Sequence, residues 1–402
     1  VLLHLSAKAA LAGLEALHVH HGLQSTADDW AALCQAQCDA LGVPMRVLFV
    51  EIASDDPRGP EAAARAARYA ALINALPEGA RLLLAHHQQD QAETLLLRLL
   101  RGTGLDGLTG MAGLTQRGNA SLWRPLLTVS KHDIDAYARS KDLRWVDDPH
   151  NRSARYARSW LRTEVWPQLE ARYPQAAALF GRAAEHLSEA QDELEAIAAD
   201  DLSACQIAPN ALQITALLGL SGGRRRRVLR RWLRQQQLPV PFAQSLEALD
   251  RSLLRARADA EACVAWPGCE LRRYRQQLYA FAPLAAMPAE WAADWDGQTP
   301  LLLPEDAGVL HWRGAPPKRA LRVQLPQGGE RLRPAGDAHH RSLKQLAQKH
   351  GIPPWLRQRM PMIYEDDRLI SIAGLWTIDG GPTLRWDCPL WPEPMRSCFD
   401  NR

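Results

Sequence analysis

Lysine is scarce in this chain. Only six of its 48 basic residues are Lys, namely Lys8, Lys131, Lys141, Lys318, Lys344 and Lys349. That rules out a lysine-rich tail, and it makes the raw arginine count a weak guide, since part of it reflects overall composition. Long hydrophobic runs are missing too. No apolar stretch approaches the roughly 18 residues of a membrane span, and no charged-then-apolar leader opens the sequence. The seven cysteines are an odd number without regular spacing. This excludes a disulfide framework and points to reduced thiols in the cytoplasm. Charged residues are neither dominant nor rare, at 23% against 47% hydrophobic, so disorder and coiled coil are both excluded as the overall class. At about 150 residues per domain, 402 residues imply two or three domains with cores of their own.

What is present is uneven. The net charge is +3, yet the segment from Lys318 to Arg359 alone carries +8, which leaves −5 for the rest. Basic charge gathered in one segment is the footprint of a polyanionic partner.

The first hundred residues alternate strand and helix. Leu14 to His20, Arg46 to Ile52 and Arg81 to His86 read as strands. Between them lie helices from Ser25/Thr26 to about Leu41 and from Gly59-Pro60 to about Leu76, and Asp90 to Arg101 follows. Acidic Asp28 and Asp29 suit a first helical turn, and Pro60 suits the first helical position. Strands separated by helices imply a parallel sheet covered on both faces. Ligands bind beyond the C-terminal strand ends of such sheets, which singles out His20-His21-Gly22 and His86-His87. From Ser130 the chain reads as mostly helical, over 130–141, 155–171 and 174–199. Residues 207–210, with Pro209, read as a linker. A helical pair follows over 211–260, then a small hairpin over 262–283 and a mixed segment over 318–387.

The densest polar cluster is Ala85-His86-His87-Gln88-Gln89-Asp90-Gln91-Ala92-Glu93-Thr94. Asp90 and Glu93 lie three apart, on one helical face. Two carboxylates facing a strand-end crevice suit a Mg²⁺ ion and its phosphates, and equally suit a helix cap without chemistry. Glu61, Arg65, Arg68 and Tyr69 form a second stripe, in which Arg68 can clamp a phosphate or simply pair on the surface. Arg152, Arg155, Arg158 and Arg162 recur near helical spacing as a one-sided basic stripe. Four consecutive arginines, Arg224 to Arg227, cannot all be buried. Arg331, Arg333, Arg341 and Lys344 space cations around a turn ahead of Trp355, as an RNA backbone would require. Cys34 and Cys38 share a helix and read as core thiols.

Taken in order, these pieces resemble the bacterial tRNA(Ile)-lysidine synthetase family. The resemblance is carried by His18-Val-His-His-Gly-Leu23, Glu61…Arg65…Arg68-Tyr69, His87…Asp90-Gln-Ala-Glu93-Thr94, Arg101-Gly-Thr-Gly104, Trp123-Arg-Pro-Leu-Leu127 and Asp148-Pro-His-Asn151. Gly329-Glu-Arg-Leu-Arg-Pro334, Leu343-Lys344 and Gly351-Ile-Pro-Pro-Trp355-Leu-Arg357 continue it, so it spans about residues 1–385. It departs at Gln89, where the family commonly has a second Asp, at His150 in place of a usual Ser, and at Ser159 in place of Asn.

The resemblance implies an α/β fold: a Rossmann-like, pyrophosphate-loop ATPase domain with a helical extension over residues 1–200. A helical tRNA-binding domain over 201–290 and a small α+β basic tRNA-binding domain over 291–395 would follow. It implies a ligase that uses ATP and Mg²⁺ to adenylate the C2 oxygen of the wobble cytidine in tRNA(Ile) with a CAU anticodon. Free lysine then displaces AMP to form lysidine. It implies Asp90, Glu93 and Arg68 at the reacting centre, with Asp90 and Glu93 also on the metal. His20, His21, Gly22 and His87 would line the nucleotide, and Arg155, Arg158, Arg162, Arg224, Arg331, Arg333, Arg341 and Lys344 would contact tRNA. A homodimer in the cytoplasm, with no membrane contact, completes the picture. The family's Ser-Gly-Gly-x-Asp-Ser phosphate loop is expected directly before Val1, so the 402-residue chain by itself is expected to be inactive. Two other readings stand beside this one: a non-catalytic tRNA-binding remnant, and another tRNA-modifying enzyme of the same ATPase superfamily.

Overall fold

A computed structural model describes residues 1–22, 26–51, 60–146, 157–241, 246, 249–254, 262–314 and 316–390. The chain divides into two compact units, Val1–Leu194 and Glu195–Arg402.

The first unit opens with helix α1 (Leu2–Lys8) and is built on two parallel strand pairs. Strand β1 (Ala16–His20) lies beside β2 (Met45–Phe49), in register from Ala16 opposite Met45 to His20 opposite Phe49. The crossover is α2 (Ala27–Leu41), with Asp28 and Asp29 in its first turn. It stops at Gly42, whose φ of +63° supplies the left-handed C-cap. Strand β3 (Arg81–Leu83) pairs in parallel with β5 (Ala120–Trp123), and β5 folds back on β4 (Leu114–Arg117). Both strand pairs and α3 (Pro60–Asn74) feed one core. Tyr69, Leu72, Leu82, Ala120 and Leu122 are buried in it, with Leu17, Val19 and Leu48 packed alongside. Tyr69 is therefore a core residue, and it keeps its place in the charged stripe through the Arg65 guanidinium, 5.6 Å from its ring centre.

Helix α4 (Gln88–Leu100) starts directly beyond β3, two residues earlier than the sequence suggests. After α5 (Leu105–Leu108) and α6 (Lys131–Ser140), the segment read as one helix over 155–171 is interrupted. It runs as α7 (Ala157–Trp160), a π-helical stretch Leu161–Val165, and α8 (Trp166–Arg172). Residues 147–156, including Arg155, lie outside the described residues. Helix α9 (Ala176–Cys205) is longer than the expected 174–199.

The second unit differs from its expected helical character. The stretch read as a linker is a hairpin instead: Gln206–Ala208 (β6) and Ala211–Gln213 (β7) turn at Pro209-Asn210. These strands join β8 (Cys263–Trp266), β9 (Cys269–Tyr274) and β10 (Gln277–Phe281) in an antiparallel sheet of order β6-β7-β10-β9-β8. Helices α10 (Ile214–Gly219) and α11 (Gly222–Gln235) pack on this sheet. In α11, Val228, Leu229, Trp232 and Leu233 are buried, and most of its arginines ride outside.

Beyond residue 290 the chain is mainly antiparallel. One sheet has the order β11 (Ala292–Trp295), β14 (Leu321–Gln324), β17 (Met362–Glu365), β18 (Arg368–Ile372), β19 (Trp376–Thr377). A second has β12 (Leu301–Leu302), β13 (Val309–Trp312), β20 (Leu384–Asp387), and β15 (Arg331–Leu332) pairs with β16 (Arg341–Ser342). Helix Leu343–Lys349 is capped reciprocally by Ser342 and Gln345. Two glycines admit no side chain. A Cβ at Gly308 would meet the Asp387 carbonyl at 2.1 Å, and one at Gly374 the Leu384 carbonyl at 2.5 Å.

Candidate functional site: a carboxylate pair held by two arginines

The start of α4 is fixed by its own residues. The Asp90 carboxylate reaches back to accept the His87 backbone N–H at 3.1 Å, which satisfies one of the helix's orphan donors. The His87 ring lies 3.3 Å from the same oxygen. One turn on, Glu93 is fully buried. A carboxylate cannot stay charged there without partners.

Its partners come from the interrupted helix. Arg162 Nε donates to Glu93 Oε1 at 2.8 Å, and its terminal nitrogen donates to Glu93 Oε2 at 2.7 Å and to Asp90 Oδ1 at 3.0 Å. This is a two-pronged fork onto one carboxylate with a third contact to the other. Arg158 donates to Thr94 Oγ1 at 2.6 Å, and its Nε lies 3.5 Å from Glu93 Oε2 without hydrogen-bond geometry. Gln89 Nε2 adds a bond to Glu93 Oε1 at 3.1 Å. The bond to Glu93 holds the Arg162 guanidinium above its ordinary pKa, against the opposing effect of burial. Burial pushes Arg158 below its own, with Glu93 opposing.

His86 stands at the same strand end. Burial pushes its pKa down to about 4, with Asp90 pulling the other way and Arg124, Arg158 and Arg65 adding to the fall. The imidazole is neutral at physiological pH, and its Nδ1 is buried without a partner among the described residues. His87 is lowered in the same direction, again chiefly by burial.

The loop after α4 is anchored rather than open. Arg98 donates to the Gly107 and Gly110 carbonyls at 2.7 and 2.6 Å. Gln91 pairs with the Met111 backbone at both its amide and its carbonyl. The glycines from Gly102 to Gly110 thus serve a tight turn, in which a Cβ on Gly110 would strike the Gln91 amide at 2.6 Å. On this side of α4 lies a cavity of about 430 Å³, lined by Gln88, Gln91, Arg124, Thr128, Arg182 and Glu185 among others.

The structure brings together Asp90, Glu93 and His87 as expected from their spacing, and it changes three expectations. Arg158 and Arg162, expected on the RNA-facing side, are turned inward onto the carboxylates, because a buried Glu93 demands a cation. Arg68 is exposed on α3, and among the described residues it pairs with no carboxylate. It is Arg65 whose charge is felt at His86, Arg98 and Arg158. Finally, the donor set does not fit a Mg²⁺ ion. Every oxygen of Asp90 and Glu93 already has a neighbour on this chain, and two guanidinium groups balance the two negative charges. Among the described residues, no group of three or more His, Cys, Asp or Glu side chains is placed to hold a metal.

His20, His21 and Gly22 sit at the end of β1, as expected. His20 Nε2 is 3.1 Å from the Asp28 carboxylate, the buried His21 Nδ1 has no partner among the described residues, and Gly22 turns the chain at φ +64°. Among the described residues no hydrogen bond joins them to Asp90 or Glu93. In the second unit Arg224 is tied to Asp201 at 2.8 and 2.5 Å rather than standing free. Arg341 pairs with Asp337 at 3.1 Å and Arg333 lies 3.6 Å from Asp379. Arg331 and Lys344 are exposed. Lys344 lines a cleft of about 380 Å³ with Gly328, Gly329 and Arg357.

Three family profiles cover most of the chain: a PP-loop domain over residues 1–169, a TilS substrate binding domain over 212–279 and a TilS substrate C-terminal domain over 321–386. A tRNA(Ile)-lysidine synthase of Xanthomonas campestris is 43% identical over 363 residues, covering 90% of this chain and 83% of its own length. The chain belongs to the tRNA(Ile)-lysidine synthase family. Further members include that of Methylococcus capsulatus, 39% identical over 90% of this chain and 85% of its own. The Pseudomonas aeruginosa member is 41% identical over 97% and 91%. Membership in the synthase family makes this chain a ligase-type enzyme that uses ATP through its PP-loop domain. No helix among the described residues is long and apolar enough to cross a membrane.

Proposed function

We propose that the protein joins free lysine to C2 of the wobble cytidine of tRNA(Ile) bearing a CAU anticodon, through an adenylated cytidine. The observation that carries the reading is the coincidence of synthase-family relatives along nearly the whole chain with a partly buried, arginine-rich cluster at the C-terminal end of β3. A cytosine oxygen leaves poorly until it is esterified to phosphate, so the site must stabilise phosphate charge. Arg65 and Arg124 add positive charge beyond Arg158 and Arg162, whose charges the two carboxylates balance. Asp90 and Glu93 fix two of these arginines in place. His86, held neutral, offers a hydrogen bond without adding charge, and Arg68, His20, His21, Gly22 and His87 complete the nucleotide end. Any Mg²⁺ that accompanies ATP takes its ligands from outside the Asp90–Glu93 pair.

On the same reading residues 1–200 house the ATP chemistry, while 201–290 and 291–395 hold tRNA. Arg331, Arg333, Arg341 and Lys344 lie along the RNA backbone, with Arg155 and Arg224 as further contacts. The protein works in the cytoplasm as a homodimer. A thiolating enzyme of the same superfamily is disfavoured by its cysteines. Burial raises the pKa of both Cys34 and Cys38, so neither is a ready thiolate.

The test uses protein expressed from its whole reading frame, with ATP, labelled lysine and tRNA transcripts. Lysine should enter tRNA(Ile) carrying CAU and not initiator tRNA, and Asp90→Asn should abolish tRNA-dependent ATP cleavage while tRNA affinity stays within about twofold. Tight tRNA binding with no lysine transfer would point instead to a non-catalytic tRNA binder. Transfer of another group would point to a different modification.

A further inference from the structure

The carboxylate pair of α4 has a feature that metal sites lack. Its negative charge is already met, atom by atom, by the chain itself. Glu93 Oε1 accepts from Gln89 and Arg162, Glu93 Oε2 from Arg162, Asp90 Oδ1 from Arg162 and Asp90 Oδ2 from the His87 amide. The Arg162 terminal nitrogen lies 2.7 Å from one carboxylate and 3.0 Å from the other, which is the bridging place a shared cation would take. A Mg²⁺ ion needs six oxygens at about 2.0–2.1 Å in near-octahedral order. Two carboxylates supply at most four of those oxygens, and the position between them is taken by the Arg162 terminal nitrogen while Arg162 stays.

The local backbone is shaped for this contact. Arg158 and Arg162 lie four apart, and the π-helical stretch that carries Arg162 widens the turn between them. Such stretches mark functional positions more often than ordinary helix does. Arg158 and Arg162 converge on Glu93 from that turn, with side chains 26% and 34% exposed against 0% for the carboxylate. The third carboxylate that would favour a metal is also missing, since position 89 is a glutamine that donates to Glu93.

We propose that Arg162 is the resident cation of the Asp90–Glu93 pair: a positioning residue that holds both carboxylates by filling the place of a bridging metal ion. The pair then binds a divalent cation only when Arg162 has been removed. Its effect on the reaction is indirect, through the orientation of Asp90, Glu93 and the neighbouring Arg158. The inference is independent of which nucleotide is modified, because metal titration reads it without turnover.

The probe is Mn²⁺, titrated into the 402-residue chain at neutral pH and followed by electron paramagnetic resonance. Wild type should show no stoichiometric site. Arg162→Gln should gain one Mn²⁺ site, at least about tenfold tighter than any wild-type binding, and adding Asp90→Asn to that variant should remove it. Arg162→Lys should leave the site closed to Mn²⁺. Circular dichroism checks that each variant is folded. A wild-type chain that binds one Mn²⁺ and loses it on Asp90→Asn overturns the proposal, and that comparison stands even if the Arg162 variants fail to fold. A folded Arg162→Gln chain that gains no Mn²⁺ overturns it equally.

Discussion

Consider removing the Glu93 charge by Glu93→Gln. The shape is kept and Gln89 can still donate to the new carbonyl, so the loss falls on the arginines. Arg162 loses the anion that accepts two hydrogen bonds, at 2.8 and 2.7 Å. Breaking one side of a buried ion pair costs about 3–5 kcal/mol. Arg162 is 34% exposed, so water recovers part of that cost and the expected loss is about 2 kcal/mol. For a unit the size of Val1–Leu194 this lowers the melting temperature by about 4–8 °C. The clean measurement is a double-mutant cycle with Arg162→Gln, by urea denaturation with calorimetry as a check on separate transitions. Arg162→Gln alone leaves Glu93 buried beside Arg158, so it should be destabilising too. The double variant should be much less destabilised than the sum, with a coupling energy of about 2 kcal/mol. A coupling below about 0.5 kcal/mol would refute the claim that these two side chains form the electrostatic centre of the site.

Other expectations follow from the same structure. His86 has a folded pKa of about 4 against 6.5 unfolded, so the unfolded chain binds more protons between those values. Stability should therefore fall as pH drops from 6.5 towards 4, and His86→Gln should flatten that slope in denaturation midpoints measured across the window. Gly308→Ala should cost several kcal/mol, on the order of 3, because its Cβ meets a backbone carbonyl in a positive-φ turn; unchanged urea midpoints would contradict it. Trp232→Ala, at a fully buried position of the second unit, should cost about 3–5 kcal/mol. Affinity for tRNA should fall steeply with salt, and reversing Arg331, Arg333 and Lys344 should reduce the salt slope in filter binding; unchanged binding would remove that face from the RNA contact.

Much of this was legible in the residues, and the exceptions have physical causes. The parallel strands of the first unit showed themselves as apolar runs spaced by helices, and Asp90 and Glu93 as one helical face. The hairpin of β6 and β7 was hidden because Pro209-Asn210 marks a turn and a linker equally well, and three-residue strands carry almost no periodicity. The inward turn of Arg158 and Arg162 was also hidden. A stripe of like charges at helical spacing says that one face is basic, and says nothing of whether that face meets water or a buried acid. The usable signal lay elsewhere, in Glu93 flanked by Ala92, Leu95 and Leu96. A carboxylate set among such neighbours had to find a cation, and the arginines of the 152–162 stripe were a ready source of one. Arg65 and Arg68 share a stripe, and sequence spacing could not tell which of them faced the site.

The bare places at Gly308 and Gly374 carry a consequence for biosynthesis. Both are filled by carbonyls from the Leu384–Asp387 strand, which also completes the sheet begun at Leu301. Translation must therefore pass residue 387 before β13 gains its second neighbour. A polypeptide that ends between Trp312 and Leu384 lacks β20 and leaves one edge of β13 without its partner strand. An open strand edge of this kind is a template for pairing with other chains, and β20 removes it in the folded protein.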